Sequence, residues 1–202
     1  PLVRFRAEAM QQAVPVGVGA MAAILGLDAD TVRAGCAEVM AATGLAVEAV
    51  NFNDPKQTVI AGTKAGVDQA CEALKAKGAK RALLLPVSAP FHSSLMKPAA
   101  ERLKERLAAT RFETPRIAVI DNVDVRVESE PAAIRDALYR QAFGAVRWVE
   151  TIQAMRARGV AHIFESGPGK VLAGTVKRID PGAVAGAIFD PASLAEAKAA
   201  LA

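Results

Sequence analysis

Two hydrophobic periods take turns along this chain, one of 3.6 residues and one of two. Leu2, Phe5 and Ala9 recur at helical spacing and predict a helix over Leu2–Ala13. Gly19–Leu25 is a short apolar run stopped by Gly26, the pattern of a buried strand. Asp28 or Asp30 then caps a helix whose inward stripe is Val32, Cys36, Val39 and Met40, closed by Gly44. Leu45–Phe52 alternates as a strand, Asn53-Asp54-Pro55-Lys56 is a turn, and Gln57–Ala61 is the returning strand. Lys64–Lys77 is a second helix, with Val67, Ala70, Cys71 and Leu74 inward and Gly78 at its end, and Arg81–Val87 is a fourth strand. The order β-α-β-β-α-β across 15–87 is the ferredoxin-like arrangement, an antiparallel four-stranded sheet with two helices on one face. Many unrelated activities use it, so it says nothing of function.

Beyond residue 92 a helical pattern runs to Ala109, with Leu95, Ala99, Leu103 and Leu107 on one stripe. Ile117–Ile120 reads as a short strand, and Pro131 opens a helix with Ile134, Leu138 and Gln141 on one face. Arg147–Arg158 turns Trp148, Ile152 and Met155 inward; strand Ala161–Phe164, helix Lys170–Ile179 and strand Val184–Phe189 follow, then a short Ala-rich helix. Strands alternating with helices imply a parallel, covered sheet. The fold class is therefore α/β, with a small subdomain over 15–87 inserted into a larger one made by 1–14 and 88–202.

Composition narrows this little further. The 52% of hydrophobic residues suits a packed core, and with aromatics at 4% that core must be aliphatic. Basic and acidic residues number 25 and 21, too balanced for a nucleic-acid-binding surface. Cys36 and Cys71 fall on apolar helix faces, as small buried hydrophobes in a reducing cytoplasm or, alternatively, as a disulfide between neighbouring helices. The uncharged stretch Ala9–Leu27 is broken by Gln11, Gln12, Pro15, Gly17 and Gly19, so no membrane span or targeting segment is expected.

Candidate chemistry gathers at a few positions. Ser88-Ala89-Pro90-Phe91-His92-Ser93-Ser94-Leu95-Met96 joins a strand to a helix and puts His92 on a loop, where a rigid scaffold displays reactive groups. An imidazole of ordinary pKa can take and return a proton near neutral pH. Arg6 lies with Val3 and Met10 on one stripe of the first helix; a guanidinium among apolar neighbours needs an anion, either an internal carboxylate or a bound one. Gln141 is an amide on an inward face and must find partners. Asn51 and Asn53 either begin a turn or contact a ligand. Gly167-Pro168-Gly169-Lys170 fails as a phosphate loop because Val171 stands where Ser or Thr is needed, and fails as a dinucleotide fingerprint at Leu172. His162 has no ligand-spaced partner, so neither a metal nor a cofactor is expected.

The segment from Ser88 to Met96 resembles the catalytic-histidine segment of malonyl-CoA:acyl-carrier-protein transacylases, the acyl-transferase family of fatty acid and polyketide synthesis. The likeness extends through Leu2–Gln11, Asn51-Phe52-Asn53, Pro86, Asn122-Val123-Asp124-Val125, Arg140-Gln141 and the Gly167–Lys170 turn, in the family's order. It implies an α/β-hydrolase-like acyl-transferase core carrying the inserted ferredoxin-like unit. It also implies that His92 is the catalytic base, that Arg6 holds the malonyl carboxylate and that Gln141 supplies an oxygen orienting the His92 ring. Asn51 and Asn53 would border the cleft. Phe91 would exclude the methyl branch of methylmalonyl, since malonyl-selective polyketide acyltransferases carry Phe where methylmalonyl-selective ones carry Ser. The family's nucleophilic serine sits in Gly-x-Ser-x-Gly, which this sequence lacks, and the chain opens at Pro1 without a methionine. It therefore reads as the C-terminal portion of such an enzyme, inactive alone.

The expected activity is transfer of malonyl from malonyl-CoA to the phosphopantetheine thiol of acyl carrier protein in fatty acid biosynthesis, in the cytoplasm, without nucleic-acid or membrane partners. Lys75, Lys77, Lys80 and Arg81 would face the acidic carrier protein. Two alternatives are a non-catalytic ferredoxin-like binding module and an acyl-transferase domain cut from a polyketide synthase.

Overall fold

Residues 1–87 and 89–202 are described by a computed structural model; Ser88, the first residue of the His92 motif, lies outside the described residues. The chain divides into two units, Pro1–Arg147 and Trp148–Ala202.

In the first unit, local caps set the boundaries. Helix α1 is Leu2–Gln12, followed by strand β1, Gly19–Leu25. Helix α2, Ala29–Thr43, starts where the Asp28 carboxylate accepts from Thr31 N and stops at Gly44, whose φ of 71° suits a residue without Cβ. Strands β2, Val47–Asp54, and β3, Gln57–Thr63, form a hairpin. Helix α3, Lys64–Ala76, begins at the Thr63 hydroxyl, which accepts from Gly66 N. Strand β4 is Arg81–Leu84.

The four strands make one antiparallel sheet in the order β2-β3-β1-β4. Against it α2 and α3 bury Ile24, Val32, Ile60, Val67 and Leu74 completely. Each of the larger of these side chains contributes roughly 1.5–3 kcal/mol by leaving water. Cys36 and Cys71 are buried in the same cluster as free thiols. Burial pushes the Cys36 thiol up to about 12, with Cys71 adding to the shift, so it stays protonated.

Several boundaries differ from the sequence reading. The hairpin turn is two residues, Pro55-Lys56, because Asp54 pairs with Gln57 while its carboxylate accepts from Lys56 N at 2.8 Å. Strand β2 starts at Val47, not Leu45, and carries register shifts between Ala49 and Asn51 and between Phe52 and Asp54. Strand β4 ends at Leu84 instead of Val87, since Pro86 has no amide to donate. Met40 is 43% exposed and is not part of the core stripe.

The rest of this unit combines two helices with irregular segments. A 3-10 turn over Ser94–Met96 leads into α4, Lys97–Ala108, which buries Ala99, Leu103 and Leu107 as expected. Helix α5 is Pro131–Gln141. Ile117–Ile120 is not a strand: Ile117 is 80% exposed, and only Ile120 pairs, in a single bridge with Val127. An apolar run becomes a strand only where a neighbour satisfies its backbone. Leu138 is not inward either; with Ile134, Val119 and Gln141 it lines an apolar hollow of about 320 Å³.

The second unit contains α6, Trp148–Ala157; β5, His162–Ser166; α7, Val171–Ile179; β6, Val184–Ile188; and α8, Pro191–Leu201. Strands β5 and β6 pair in parallel, residue by residue from His162 with Val184 to Ser166 with Ile188. Ile152 and Val176 are buried at its centre beside Trp148 and Met155. The indole of Trp148 donates to Thr175 Oγ1 at 2.8 Å.

Candidate active site

The loop after β4 is fastened at three points. Its Pro90 ring packs on the start of β1, where a Cβ on Gly19 would collide with it. The Ser93 hydroxyl donates to Pro90 O at 2.7 Å. Glu48, on β2, accepts from Ser94 N at 3.2 Å and also from the Ser94 hydroxyl. Between these tethers His92 adopts a φ of 64°, a left-handed conformation. Such a backbone costs on the order of 1–3 kcal/mol in a residue with a Cβ, so the surroundings must hold it.

The ring of His92 is also tethered. Its Nδ1 lies 3.0 Å from the main-chain oxygen of Gln141, the last residue of α5. A carbonyl can only accept, so Nδ1 carries the proton and Nε2 is left with its lone pair. The oxygen is thus the backbone one. The Gln141 side chain turns the other way, donating to the Gly144 and Ala145 carbonyls at 3.2 and 3.4 Å. Beyond them Val146 joins the edge of β2: its N–H donates to Val50 O at 2.8 Å, and its carbonyl accepts from Phe52 N at 2.9 Å. Burial lowers the His92 pKa below its ordinary 6.5; the Gln141 carbonyl opposes this and the charge of Arg6 adds to it.

His92 and Phe91 line a cleft of about 540 Å³ together with Arg6, Asn51, Asn53 and Gln11. Every residue singled out from sequence as touching a ligand is therefore on one wall or another of the same cavity. Arg6 is half-buried there, and burial lowers its pKa. Among the described residues it makes no ion pair with a carboxylate. Its stripe is less apolar than the sequence suggested, because Val3 is 79% exposed while Met10 is buried. Phe91 packs between the cluster around Met96 and the one around Met21. Asn51 closes the first register shift of β2 and Asn53 lies within the second; such irregularities re-aim side chains next to binding sites.

Sequence reasoning missed Gln11 and Glu48. Gln11 stands four residues after Ala7, which also lines the cleft, but it is five from Arg6, so spacing from Arg6 alone gave no signal for it. Glu48 left no signal, because it acts 46 residues from Ser94. Three carboxylates, Asp121, Asp124 and Glu128, also approach within 4.8 Å of one another, but Arg140 already binds both oxygens of Asp124. The basic residues Lys75, Lys77, Lys80 and Arg81 are all exposed, and Lys77 pairs with Glu38 at 2.8 Å.

The sequence matches the model of the acyl transferase domain over residues 2–179. It is 51% identical over 196 residues to the malonyl CoA-acyl carrier protein transacylase of Escherichia coli K12, a match covering 97% of this chain and 63% of that protein. An acyl-carrier-protein S-malonyltransferase from Burkholderia pseudomallei 1710b superposes with a TM-score of 0.94 at 66% identity, over 98% of this chain and 64% of that one. A malonyl-transacylase solved in complex with its type II polyketide acyl-carrier protein gives 0.94 at 48% identity, over 97% of this chain and 63% of that one. The chain thus spans just under two thirds of the length of these relatives. Among the described residues no helix is long and apolar enough to cross a membrane.

Proposed function

This chain belongs to the acyl transferase domain family, and on that premise we propose that it builds one side of the active site of a malonyl-CoA:acyl-carrier-protein S-malonyltransferase. The observation that carries the reading is Arg6: a half-buried guanidinium with no carboxylate partner among the described residues, in the same cleft as His92. Malonyl is an acyl group that brings its own carboxylate. A planar guanidinium can hold it through two parallel hydrogen bonds.

In this reading a serine hydroxyl attacks the thioester carbonyl of malonyl-CoA while Nε2 of His92 takes its proton. The C–S bond breaks, His92 returns the proton to the departing thiolate of coenzyme A, and the malonyl group is left as a serine ester. The phosphopantetheine thiol of the carrier protein then gives its proton to His92 and attacks the ester. The C–O bond breaks as His92 returns that proton to the departing serine oxygen, which restores the hydroxyl. The two serines next to His92 are poor candidates for that nucleophile, since Ser93 donates to Pro90 O and Ser94 to Glu48. With no Gly-x-Ser-x-Gly in the sequence, we assign the nucleophile to residues outside these 202, and expect radiolabelled malonyl-CoA to leave no stable label on this chain alone.

We assign 15–87 to a ferredoxin-like subdomain and 1–14 and 88–202 to the acyl-transferase part; the sheet order β2-β3-β1-β4 with α2 and α3 packed on it supports the first assignment. Gln141 orients the His92 ring, Asn51 and Asn53 border the acyl chain, and Phe91 fills the space a methyl branch would need. Lys75, Lys80 and Arg81 form part of the surface that meets the acidic carrier protein, with Lys77 partly neutralised by Glu38. The likeness to the bacterial relatives supports fatty acid biosynthesis as the pathway, and the free buried thiols suit a reducing cytoplasm.

The test is Arg6→Ala in the full-length enzyme, assayed with malonyl-CoA and acetyl-CoA. Loss of a charge-assisted pair that leaves a partner charge unpaired costs about 2–5 kcal/mol, so malonyl transfer should fall far more than acetyl transfer. Equal losses would make Arg6 a structural residue and sink the reading.

A further inference from the structure

Among the described residues, the non-glycine positions with positive φ are His92, at 64°, and Val125, at 61°. Val125 is the more unusual, because a β-branched side chain fits the left-handed region poorly. The two strained residues are joined by a short chain of contacts. Val125 follows Asp124, whose carboxylate accepts two parallel hydrogen bonds from Arg140, Nη1 to Oδ1 at 2.7 Å and Nη2 to Oδ2 at 2.5 Å. The next residue, Gln141, holds Nδ1 of His92 through its carbonyl.

The turn that carries Asp124 is itself tightly closed. Asp121 Oδ1 accepts from Asp124 N at 2.7 Å, and Arg126 O accepts from Asp121 N at 2.9 Å. Asn122 O accepts from Arg147 N at 3.1 Å, and a Cβ on Gly144 would come within 2.8 Å of the Val123 side chain. This turn and the segment just after α5 therefore meet closely at Val123 and Gly144, beside the hollow that Asp121, Asn122 and Gln141 also line.

Such a brace has a use at this place. The last carbonyls of a helix have no intrahelical partner, and helix ends fray. The carbonyl that must fix the His92 tautomer is one of these. A point charge would hold the helix end nearby, whereas a two-pronged guanidinium–carboxylate pair fixes its orientation as well. We propose that Asp124 is a positioning residue: through its fork with Arg140 it holds the Gln141 carbonyl where it keeps Nδ1 of His92 protonated and Nε2 free. This rests on the reading of His92 as the base, but the state of the ring can be measured apart from activity.

The experiment uses the full-length protein with 15N-labelled histidine, the His92 signals being assigned with His92→Ala. The wild type should show Nδ1–H and an unprotonated Nε2. In Asp124→Asn the ring should become a mixture of tautomers, and kcat should drop about tenfold with little change in KM for malonyl-CoA, a loss well within the ~10²-fold that a misplacement of 1 Å can cause. The acid limb of the pH profile should move to lower pH, because the lost hydrogen bond is one that raises the His92 pKa. Arg140→Lys, which keeps the charge and loses the fork, should fall between. Asp136→Asn, which removes the other carboxylate bound to Arg140, at 2.6 Å from Nε, should leave the ring unchanged. If Asp124→Asn does not fold, Arg140→Lys decides the matter on the same readouts. A folded variant with the wild-type tautomer and kcat, or a wild type protonated on Nε2, overturns the proposal. Activity retained by His92→Ala would instead overturn the role of His92 while leaving the tautomer result standing.

Discussion

Two of the loops that lead from a strand into a helix are built in opposite ways. The Gly167–Lys170 turn is held locally: Gly167 N donates to Ile188 O on the neighbouring strand, and Glu165 accepts from Ala173 N eight residues on. Its lysine is exposed, with the ammonium 4.4 Å from the centre of the Phe189 ring. The His92 loop is held from a distance, by Glu48 at 46 residues and Gln141 at 49 residues of separation. It also carries backbone strain at the residue that faces the cleft. A turn that only reverses the chain can be satisfied by its neighbours. A loop that must present one nitrogen of one ring needs anchors whose positions do not relax with it.

The comparison is broken most severely at His92 itself. His92→Ala in the full-length enzyme should lower the acylation rate by a factor on the order of 10²–10⁴, the usual worth of a general base. Its thermal midpoint should stay near that of the wild type, and an unfolded variant would mean that the long-range anchors serve the fold and not the ring.

The next effect is on selectivity. Phe91→Ser should raise kcat/KM for methylmalonyl-CoA relative to malonyl-CoA if the phenyl ring, which lines the cleft, fills the space of the branch as proposed. A ratio that does not move would make Phe91 a packing residue between its two clusters.

The pH dependence is smaller and has a definite sign. The folded protein holds the His92 pKa below 6.5, so kcat/KM should keep its plateau below that pH and fall only as the ring protonates. Arg6→Ala, by removing a nearby positive charge, should shift this acid limb upward. For stability, the unfolded chain takes up a proton that folded His92 refuses between the lowered pKa and 6.5. This contribution is therefore fully present above 6.5 and is lost as pH falls through that window. Denaturation midpoints of wild type and His92→Ala, compared from pH 7.5 downward, measure it; a difference independent of pH would contradict it.

The smallest effects compare the two loops directly. Ser94→Ala removes the hydroxyl bond to Glu48 and keeps the amide one, so about 1 kcal/mol of tethering should go, with a several-fold loss of kcat. Lys170→Ala, on the locally held turn, should change transfer rates less than twofold, as exposed substitutions away from buried features do within about 0.5 kcal/mol. Equal losses at the two positions would erase the distinction.

Much of this molecule was legible along the chain because its determinants are local. The caps at Asp28 and Gly44, the inward face of α3 and that of α2 apart from Met40, the order β1 to β4 with α2 and α3, and the strand-to-helix position of His92 all follow from spacing within a dozen residues. The candidate site residues were legible too, since the motifs around Arg6, Asn51, His92 and Gln141 each resemble one family. What the sequence could not determine was set by partners far along the chain. Ile117–Ile120 has a strand's composition but no neighbour to pair with beyond Val127. The hairpin register depends on two irregularities that periodicity does not encode. That the Gln141 oxygen is a backbone one, that Arg140 beside it is forked to Asp124, and that Glu48 clamps Ser94 are facts of packing alone. A hydrophobic period specifies which face of an element turns inward; only the closed fold brings Arg6, His92 and Gln141 together, because each belongs to a different element and the distances among them exist only once the core has formed.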